Sequence, residues 1–376
     1  MKNNLYATGK WLRSTMLTLP MIFIILLMLS GGQNVFADSV HGLAYLVTVI
    51  FYGTMFFMMH YKGEADKWRA IAFFASAVLF SVTFMSNLVE MRGSTTYSES
   101  EIMSCEIPFC HIVTTMVIIP AAIKQTIIFP GSILTGFASI SSMLVIVLGA
   151  GLILGRGFCS WGCFYGGWDD GFHRIGKKTW ITRINESYRY FALAMLIVMA
   201  LWSASTLMPE YCNWLCPFKL VTERDKVVDA ESLIKTIIMA VLFVALVVVL
   251  PILTKKRVQC ATFCPMGALM SIFNKVCIFS VRNNRSKCID CGKCRKVCPM
   301  LAIDQKHQPL INCSMCGKCV DACPTGAMQY HVKGTAMGKK ITTVRTLFLY
   351  PAYAFMVTLT GGSVVNAIEL IIKLIL

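Results

Sequence analysis

One cysteine pattern appears twice and constrains the chain more than any other feature. It reads Cys288-Ile-Asp-Cys291-Gly-Lys-Cys294-Arg-Lys-Val-Cys298-Pro, then Cys313-Ser-Met-Cys316-Gly-Lys-Cys319-Val-Asp-Ala-Cys323-Pro. The offset is 25 at both ends of the pattern (313 − 288 and 323 − 298). Two residues between thiols let a tight turn aim successive sulfurs at different points of one metal centre. Gly292 and Gly317 supply backbone conformations that a side chain would resist. Pro299 and Pro324 close each run and turn the chain away. Eight such thiolates suit two tetrahedral zinc sites or two iron–sulfur cubes. The constant offset and the repeated terminal Cys-Pro favour the cubes.

The pattern resembles the run of bacterial two-cluster ferredoxins. That resemblance implies an exchange of the fourth ligand between halves. Cys288, Cys291, Cys294 and Cys323 would hold one [4Fe–4S] cluster, and Cys313, Cys316, Cys319 and Cys298 the other. Residues 284–332 are therefore expected to form a small α+β ferredoxin domain carrying two [4Fe–4S] clusters.

The rest of the chain is too apolar for an ordinary soluble enzyme: 56% of 376 residues are hydrophobic and 14% charged. Apolar runs near the ~18–20 residues of a bilayer span occur at His41–Tyr61, Arg69–Glu90, Ser132–Leu154, Arg189–Met208, Leu233–Thr254 and Thr346–Leu376. Gly361-Gly362 interrupts the last, which reads as one tilted helix or as a span with an amphipathic tail. Residues 1–37, with Lys2, Lys10 and Arg13 before an apolar stretch, read as a signal peptide or a first transmembrane helix. The expected architecture is a mainly α, polytopic helical membrane protein. Its parts are a membrane domain over 38–283, the ferredoxin domain and a C-terminal membrane segment over 333–376.

A net charge of +16 could suggest nucleic acid, but the cations cluster between apolar runs, which excludes that reading. Lys62, Lys67 and Arg69 fall in one connection. Arg156, Arg174, Lys177, Lys178 and Arg183 fall in another, and Lys255, Lys256 and Arg257 precede the ferredoxin domain. Alternate connections are poorer in cations or richer in acids. By the positive-inside rule the ferredoxin domain faces the cytoplasm of a bacterium, in a multi-pass inner-membrane protein whose surroundings are lipid. The reducing cytosol also suits cluster-ligating thiolates. Residues Ile112–Phe129, broken at Pro120 and carrying Lys124, read as an interfacial or re-entrant segment.

Four more cysteine pairs lie in the membrane region: Cys105/Cys110, Cys159/Cys163, Cys212/Cys216 and Cys260/Cys264. Their first members are 54, 53 and 48 residues apart (159 − 105, 212 − 159, 260 − 212), with one apolar run in each interval, so helix plus pair forms an internal repeat. The topology places the pairs alternately on opposite faces. One further iron–sulfur centre is expected near the inner face from Cys159, Cys163, Cys260 and Cys264. A second is expected near the outer face from Cys105, Cys110, Cys212 and Cys216. Trp161, Trp214 and Phe263, between paired cysteines, are placed to shield such centres from water. Ordinary buried cysteines and a disulfide-exchanging dithiol relay are the alternatives. Cys277 stands apart and reads as structural.

Gly155-Arg156-Gly157-Phe158-Cys159-Ser160-Trp161-Gly162-Cys163, the later Cys260-Ala-Thr-Phe-Cys264-Pro265-Met-Gly267, and the double ferredoxin run together resemble NapH/NosR/CcoG-type polyferredoxin membrane proteins. The similarity covers roughly Ser132 to Ala327. It implies electron passage between the cytoplasm or quinone pool and an extracytoplasmic reductase, or metal reduction during enzyme assembly, with Cys159, Cys163, Cys260 and Cys264 as the membrane cysteines. Phe164 stands where the family usually has Pro. Pairs 105/110 and 212/216 exceed the minimal pattern, and no NosR-like periplasmic flavin domain is visible in the sequence.

The sequence thus predicts an electron conduit from cytoplasmic ferredoxin clusters to the extracytoplasmic side. It would work with redox partner proteins on one or both sides, alone or within a larger complex. Rival readings are a copper or metal reductase serving metalloenzyme assembly and a quinol-oxidising subunit that would bind quinone. No nucleophile or acid–base constellation is visible. His111, beside Cys110, is the best non-cysteine candidate, as a tuning residue. Trp168-Asp169-Asp170 reads as a solvated turn. Lys293, Lys318 and Arg295 give the ferredoxin surface a basic character suited to an acidic partner or anionic lipid.

Overall fold

A computed structural model describes residues 9–30, 35–92, 110–116, 118, 122, 140–176, 178–181, 184–222, 227–337 and 341–375. Among these, seven helices are long and apolar enough to cross a membrane. The first three are α1 (Trp11–Ser30), α2 (Ser39–Tyr61) and α3 (Ala65–Arg92). Then come α4 (Ile140–Leu154), whose candidate span runs over Leu144–Trp161, the short α5 (Phe164–Phe172), and α6 (Phe191–Thr206). The apolar stretch α7 (Ala230–Thr254) includes a wider-wound turn over Phe243–Val249, and the short α8 (Pro265–Phe273) follows it. The small module contains β1 (Phe279–Asn283), α9 (Lys293–Val297), α10 (Lys318–Ala322) and β2 (Met328–Val332). The chain then continues into α11 (Ile341–Ile375).

Helix α11 runs unbroken for 35 residues through Gly361 and Gly362, which resolves the last apolar region as one helix. Helix α1 packs into the bundle. Its Leu17 carbonyl accepts from the Tyr350 hydroxyl of α11 at 2.5 Å, and its Met21 and Ile25 are buried. Tyr52 of α2 bonds both Ser76 of α3 and Thr360 of α11, so α2, α3 and α11 share one buried polar contact.

The small module pairs β1 with β2 antiparallel, Phe279 opposite Val332 and Asn283 opposite Met328. It is keyed onto the helices by polar bonds from several elements. Asp66 at the start of α3 donates its backbone N–H to Asp321 at 2.8 Å, and Arg257 donates its backbone N–H to the Pro299 carbonyl at 2.9 Å. The Lys256 ammonium donates to the Cys298 carbonyl at 2.6 Å. Aromatic packing joins them as well, since Phe348 of α11 stacks on Tyr330 with centroids 4.4 Å apart.

Two short helices turn back among the spans. Gly157 sits against Met315 of the small module, whereas Phe164 stacks on Phe80 with centroids 3.8 Å apart. From there α5 runs antiparallel to α3 until Arg174 bonds Asp66 at 2.6 Å. Phe80 and Asp66 are 14 residues apart (80 − 66), about 21 Å along a helix. The Cys159–Cys163 turn is therefore the tip of a re-entrant hairpin. The second hairpin leaves the module at Arg257 and returns down α8 to Asn274, whose amide donates to the Cys313 carbonyl at 2.8 Å. Irregular backbone at this depth needs protein around it; the first tip is buried, and the second is buried at Cys260 and Ala261 and half-buried from Thr262 to Cys264.

Candidate iron–sulfur sites

In the small module the eight cysteines fall into two sets. Cys288, Cys291, Cys294 and Cys323 line one cavity, with Asn283, Pro324 and Met328. Cys298, Cys313, Cys316 and Cys319 line another, with Val281, Met300 and Met315. Gly292 and Gly317 have φ of 68° and 91°, the left-handed region that favours glycine, immediately before α9 and α10. These turns aim the sulfurs inward. Among the described residues no three His, Cys, Asp or Glu side chains gather tightly enough to hold a single ion. A lone zinc would draw four sulfurs to ~2.3 Å from one point. A cube, offering one iron to each thiolate, fits the wider cavities.

The two cavities differ in exposure. Burial pushes the Cys313 thiol up to about 12 and the Cys316 thiol up to about 11. At Cys323 burial is outweighed by the Met328 N–H and the Thr325 hydroxyl, and its thiol is lowered. Cys291 is exposed. The first set is thus a distal, solvent-facing site and the second a proximal one, next to the helices.

The proximal site abuts the first re-entrant tip. The Trp161 indole donates to the Met315 carbonyl at 3.1 Å, with Met315 lying between Cys313 and Cys316 and Trp161 between Cys159 and Cys163. At the tips, Cys163 is within electrostatic reach of Cys159 and Cys264, Cys260 of Cys264 and Cys163, and Cys264 of Cys159. Pairs 159/163 and 260/264, 101 residues apart in sequence (260 − 159), are brought together.

The arrangement is reciprocal. Arg156 precedes Cys159 by three residues and donates to the Cys260 carbonyl at 2.6 Å. Arg257 precedes Cys260 by three and donates to the Cys159 carbonyl at 2.9 Å. Gly166 and Gly267 each follow the second cysteine by three. A Cβ there would fall 2.4 Å from the Cys159 carbonyl oxygen and 2.9 Å from that of Cys260, respectively. The signal Arg-x-x-Cys-x-x-x-Cys-x-x-Gly therefore occurs twice, at 156–166 and 257–267, and sequence reasoning missed it. The two arginines are fully buried and belong to the site rather than to exposed basic loops, as is Arg69.

Asp169 and Asp170 correct a second expectation. They lie within α5, wholly buried, not in a solvated turn. Asp170 bonds Arg69 through both oxygens at 3.1 Å and Arg174 at 3.2 Å, while Asp169 accepts the Cys260 N–H at 2.8 Å. Lys318, read as surface charge, approaches the His173 ring at 3.1 Å beneath the module. Cys277 donates to the Phe279 carbonyl at 3.0 Å, in keeping with a structural role.

The described members of the remaining pairs lie beside this centre and not across the helical layer from it. His111 Nε2 is 3.1 Å from Cys163 Sγ, and Cys110 Sγ is 3.9 Å from the Tyr165 hydroxyl. Tyr165 is within electrostatic reach of Cys110 and Cys216 together, and stacks on Phe218 at 4.6 Å. Tyr211, next to Cys212, accepts from Gln259 at 3.1 Å. Helix α6 ends at Leu207 in the left-handed region, and the chain folds back so that the Glu210 N–H reaches Ser203. That reversal carries Cys212 and Cys216 inward. Cys105 lies outside the described residues.

Comparison with known proteins finds 4Fe-4S domains in the chain. Residues 280–324 match a 4Fe-4S dicluster domain, and residues 135–183, 188–224 and 236–285 each match a 4Fe-4S binding domain. The last three matches contain one cysteine pair apiece. Fold and site together define an iron–sulfur electron-transfer protein, with 4Fe-4S ferredoxin-type domains on a multi-pass helical frame.

Within that class the chain is homologous to YccM of Escherichia coli, provisionally described as an electron transport protein. It is 30% identical over 169 residues, 42% of this chain and 45% of YccM. The methylamine utilization ferredoxin-type protein MauN of Paracoccus denitrificans is 30% identical over 151 residues, 39% of this chain and 50% of MauN. An uncharacterised Methanocaldococcus jannaschii protein is 26% identical over 168 residues, 42% of this chain and 64% of its own. The matched region thus spans roughly half to two thirds of each relative. No solved structure matches the chain.

Proposed function

We propose that the chain is a conduit of the NapH/NosR/CcoG kind, taking electrons from a cytoplasmic ferredoxin module into the membrane toward the extracytoplasmic side. Cys288, Cys291, Cys294 and Cys323 would hold the distal [4Fe–4S] cluster, and Cys298, Cys313, Cys316 and Cys319 the proximal one. Cys159, Cys163, Cys260 and Cys264 would hold a third centre. Cys110, Cys212 and Cys216, with Cys105, would hold a fourth. Bound clusters supply one-electron chemistry, and the protein supplies position and potential.

The single observation that carries this reading is continuity. One indole–carbonyl contact links the proximal site to the third, and one imidazole–thiol contact links the third to the fourth. A bilayer core is ~30 Å thick, too wide for one efficient hop, and the third and fourth sites, side by side next to the module, would shorten the distance left to a partner on the other side. Buried Arg156 and Arg257 point positive charge at the third site, which eases the gathering of four thiolates. Trp161, Phe158 and Phe164 keep water out. The packing of α1 against α2 and α11 supports its retention as a first span. Redox partner proteins on one or both sides follow from the reading, as does a bacterial inner membrane.

Iron quantitation and EPR of purified protein test it. About sixteen irons per chain are expected for four cubes of four, and about eight would reduce the chain to a membrane-tethered ferredoxin.

A further inference from the structure

The distal site sits in a distinctive surface. Cys291 is exposed, and Ile289 beside it leaves 64% of its surface in solvent. Lys287, Lys293, Arg295 and Lys306 surround this apolar spot, all exposed. The one acid within the Cys288–Cys294 turn, Asp290, is engaged by Arg285 at 2.9 Å. An uncovered centre with an apolar spot and a cationic rim has the form of an electron-transfer encounter surface, where charge steers approach and a small apolar contact seats it.

We propose that the turn from Arg285 to Lys296 is the docking face for an acidic one-electron carrier protein. The inference rests on the conduit reading and adds where the conduit is loaded and by what. Position argues against a lipid surface as the occupant. The module meets the helices through Met315, Asp321, Pro299, Tyr330 and the Cys313 carbonyl, and through the Lys296 and Cys298 carbonyls at the far end of α9. The Cys288–Cys294 turn takes no part in those contacts. Lys318 does not extend the basic patch toward the membrane, because it is turned in against His173. In each productive encounter the carrier loses one electron and the distal site gains one. No bond forms or breaks.

The test uses the full chain in nanodiscs of neutral lipid, with an acidic plant-type [2Fe–2S] ferredoxin as probe and affinity and association rate followed against salt. The double variant Lys293→Glu/Arg295→Glu should weaken probe binding by about tenfold or more at low salt, mainly through the association rate. The gap should close near 1 M salt, where the screening length falls to about 3 Å. Lys275→Glu, elsewhere on the module, should stay within about twofold of wild type. Ile289→Asp should speed dissociation. Should the first double variant fail to retain the wild-type EPR signature, Lys287→Glu/Lys306→Glu carries the same comparison.

Equal binding by wild type and a cluster-retaining double variant overturns the proposal. So does a loss confined to phosphatidylglycerol vesicles with probe binding intact. A chain whose distal site shows no EPR signal after dithionite defeats the conduit itself. One that is reduced by dithionite but ignores the probe defeats only the docking face.

Discussion

His111 Nε2 lies 3.1 Å from Cys163 Sγ, and His111 follows Cys110 directly in the chain, so one imidazole joins two cysteine pairs 53 residues apart (163 − 110). Phe158, Phe164 and Tyr165 pack around the ring. With its proton on Nε2, the imidazole donates to the sulfur and favours the more negative, reduced state of whatever centre that sulfur ligates.

Hydrogen bonds to ligating sulfur raise a cluster's potential. His111→Ala should therefore lower the potential of the third centre. The shift should be on the order of 50 mV, about 1 kcal/mol for one electron, since 59 mV is tenfold. His111→Gln, able to donate, should recover part of it. Redox titration followed by EPR measures both, and an unchanged potential in the alanine variant removes His111 from any tuning role.

Trp161 joins the module to the first re-entrant tip. Trp161→Phe keeps the ring contact with Phe348 but loses the bond to the Met315 carbonyl, which the Tyr330 hydroxyl still reaches at 3.3 Å. The expected cost is about 1 kcal/mol, read as a small fall in Tm. Trp161→Ala empties a wholly buried site and should cost about 3–5 kcal/mol. Freeze-quench EPR should show slower equilibration between module and membrane centres in the alanine variant.

The parts of this structure legible in the sequence are those with a period or a fixed spacing. Spans such as Ser39–Tyr61 announce themselves by length, and the repeated Cys-x-x-Cys-x-x-Cys run marks the small module, where its eight cysteines line two cavities. The re-entrant hairpins were not legible. Helices α5 and α8 have nine residues each, too few for a clear apolar stripe, and Gly166, Gly167 and Gly171 make α5 look like a loop. Charge misled as well. Arg69, Arg156, Arg257, Asp169 and Asp170 have the composition of exposed connections, yet all are buried: Arg69 and Arg257 pair with Asp170, while Arg156 and Asp169 bond the backbone of Cys260. Counting faces by alternating spans placed Cys212 and Cys216 far from Cys163, because such a count contains no chain that turns back.

Asp170 is held by three arginines, with Arg69, Arg174 and Arg257 within 3.1, 3.2 and 3.8 Å. Removing one partner of a buried ion pair leaves uncompensated charge and costs about 3–5 kcal/mol. Asp170→Asn should therefore fail to accumulate, or purify with iron missing from the third centre. A variant with wild-type yield and iron content would show that the arginines find other partners.

Gly167 tests whether close approach of α5 to α3 builds the tip. A Cβ there would fall 2.5 Å from Ala77 Cβ and 2.7 Å from the Phe73 carbonyl oxygen, and neither neighbour can swing aside. Gly167→Ala must push α5 off α3. That would pull on the Phe164–Phe80 stack at one end of α5 and the Asp170–Arg69 pair near the other. The expected result is loss of iron from the third and fourth centres with both ferredoxin clusters kept, because the module makes its own cavities from residues 281–328. Iron counts falling from about sixteen toward eight, with ferredoxin-type EPR signals unchanged, would show it. Gly362→Ala, with nothing within 4 Å of its added carbon, is the matched control and should leave the iron count alone.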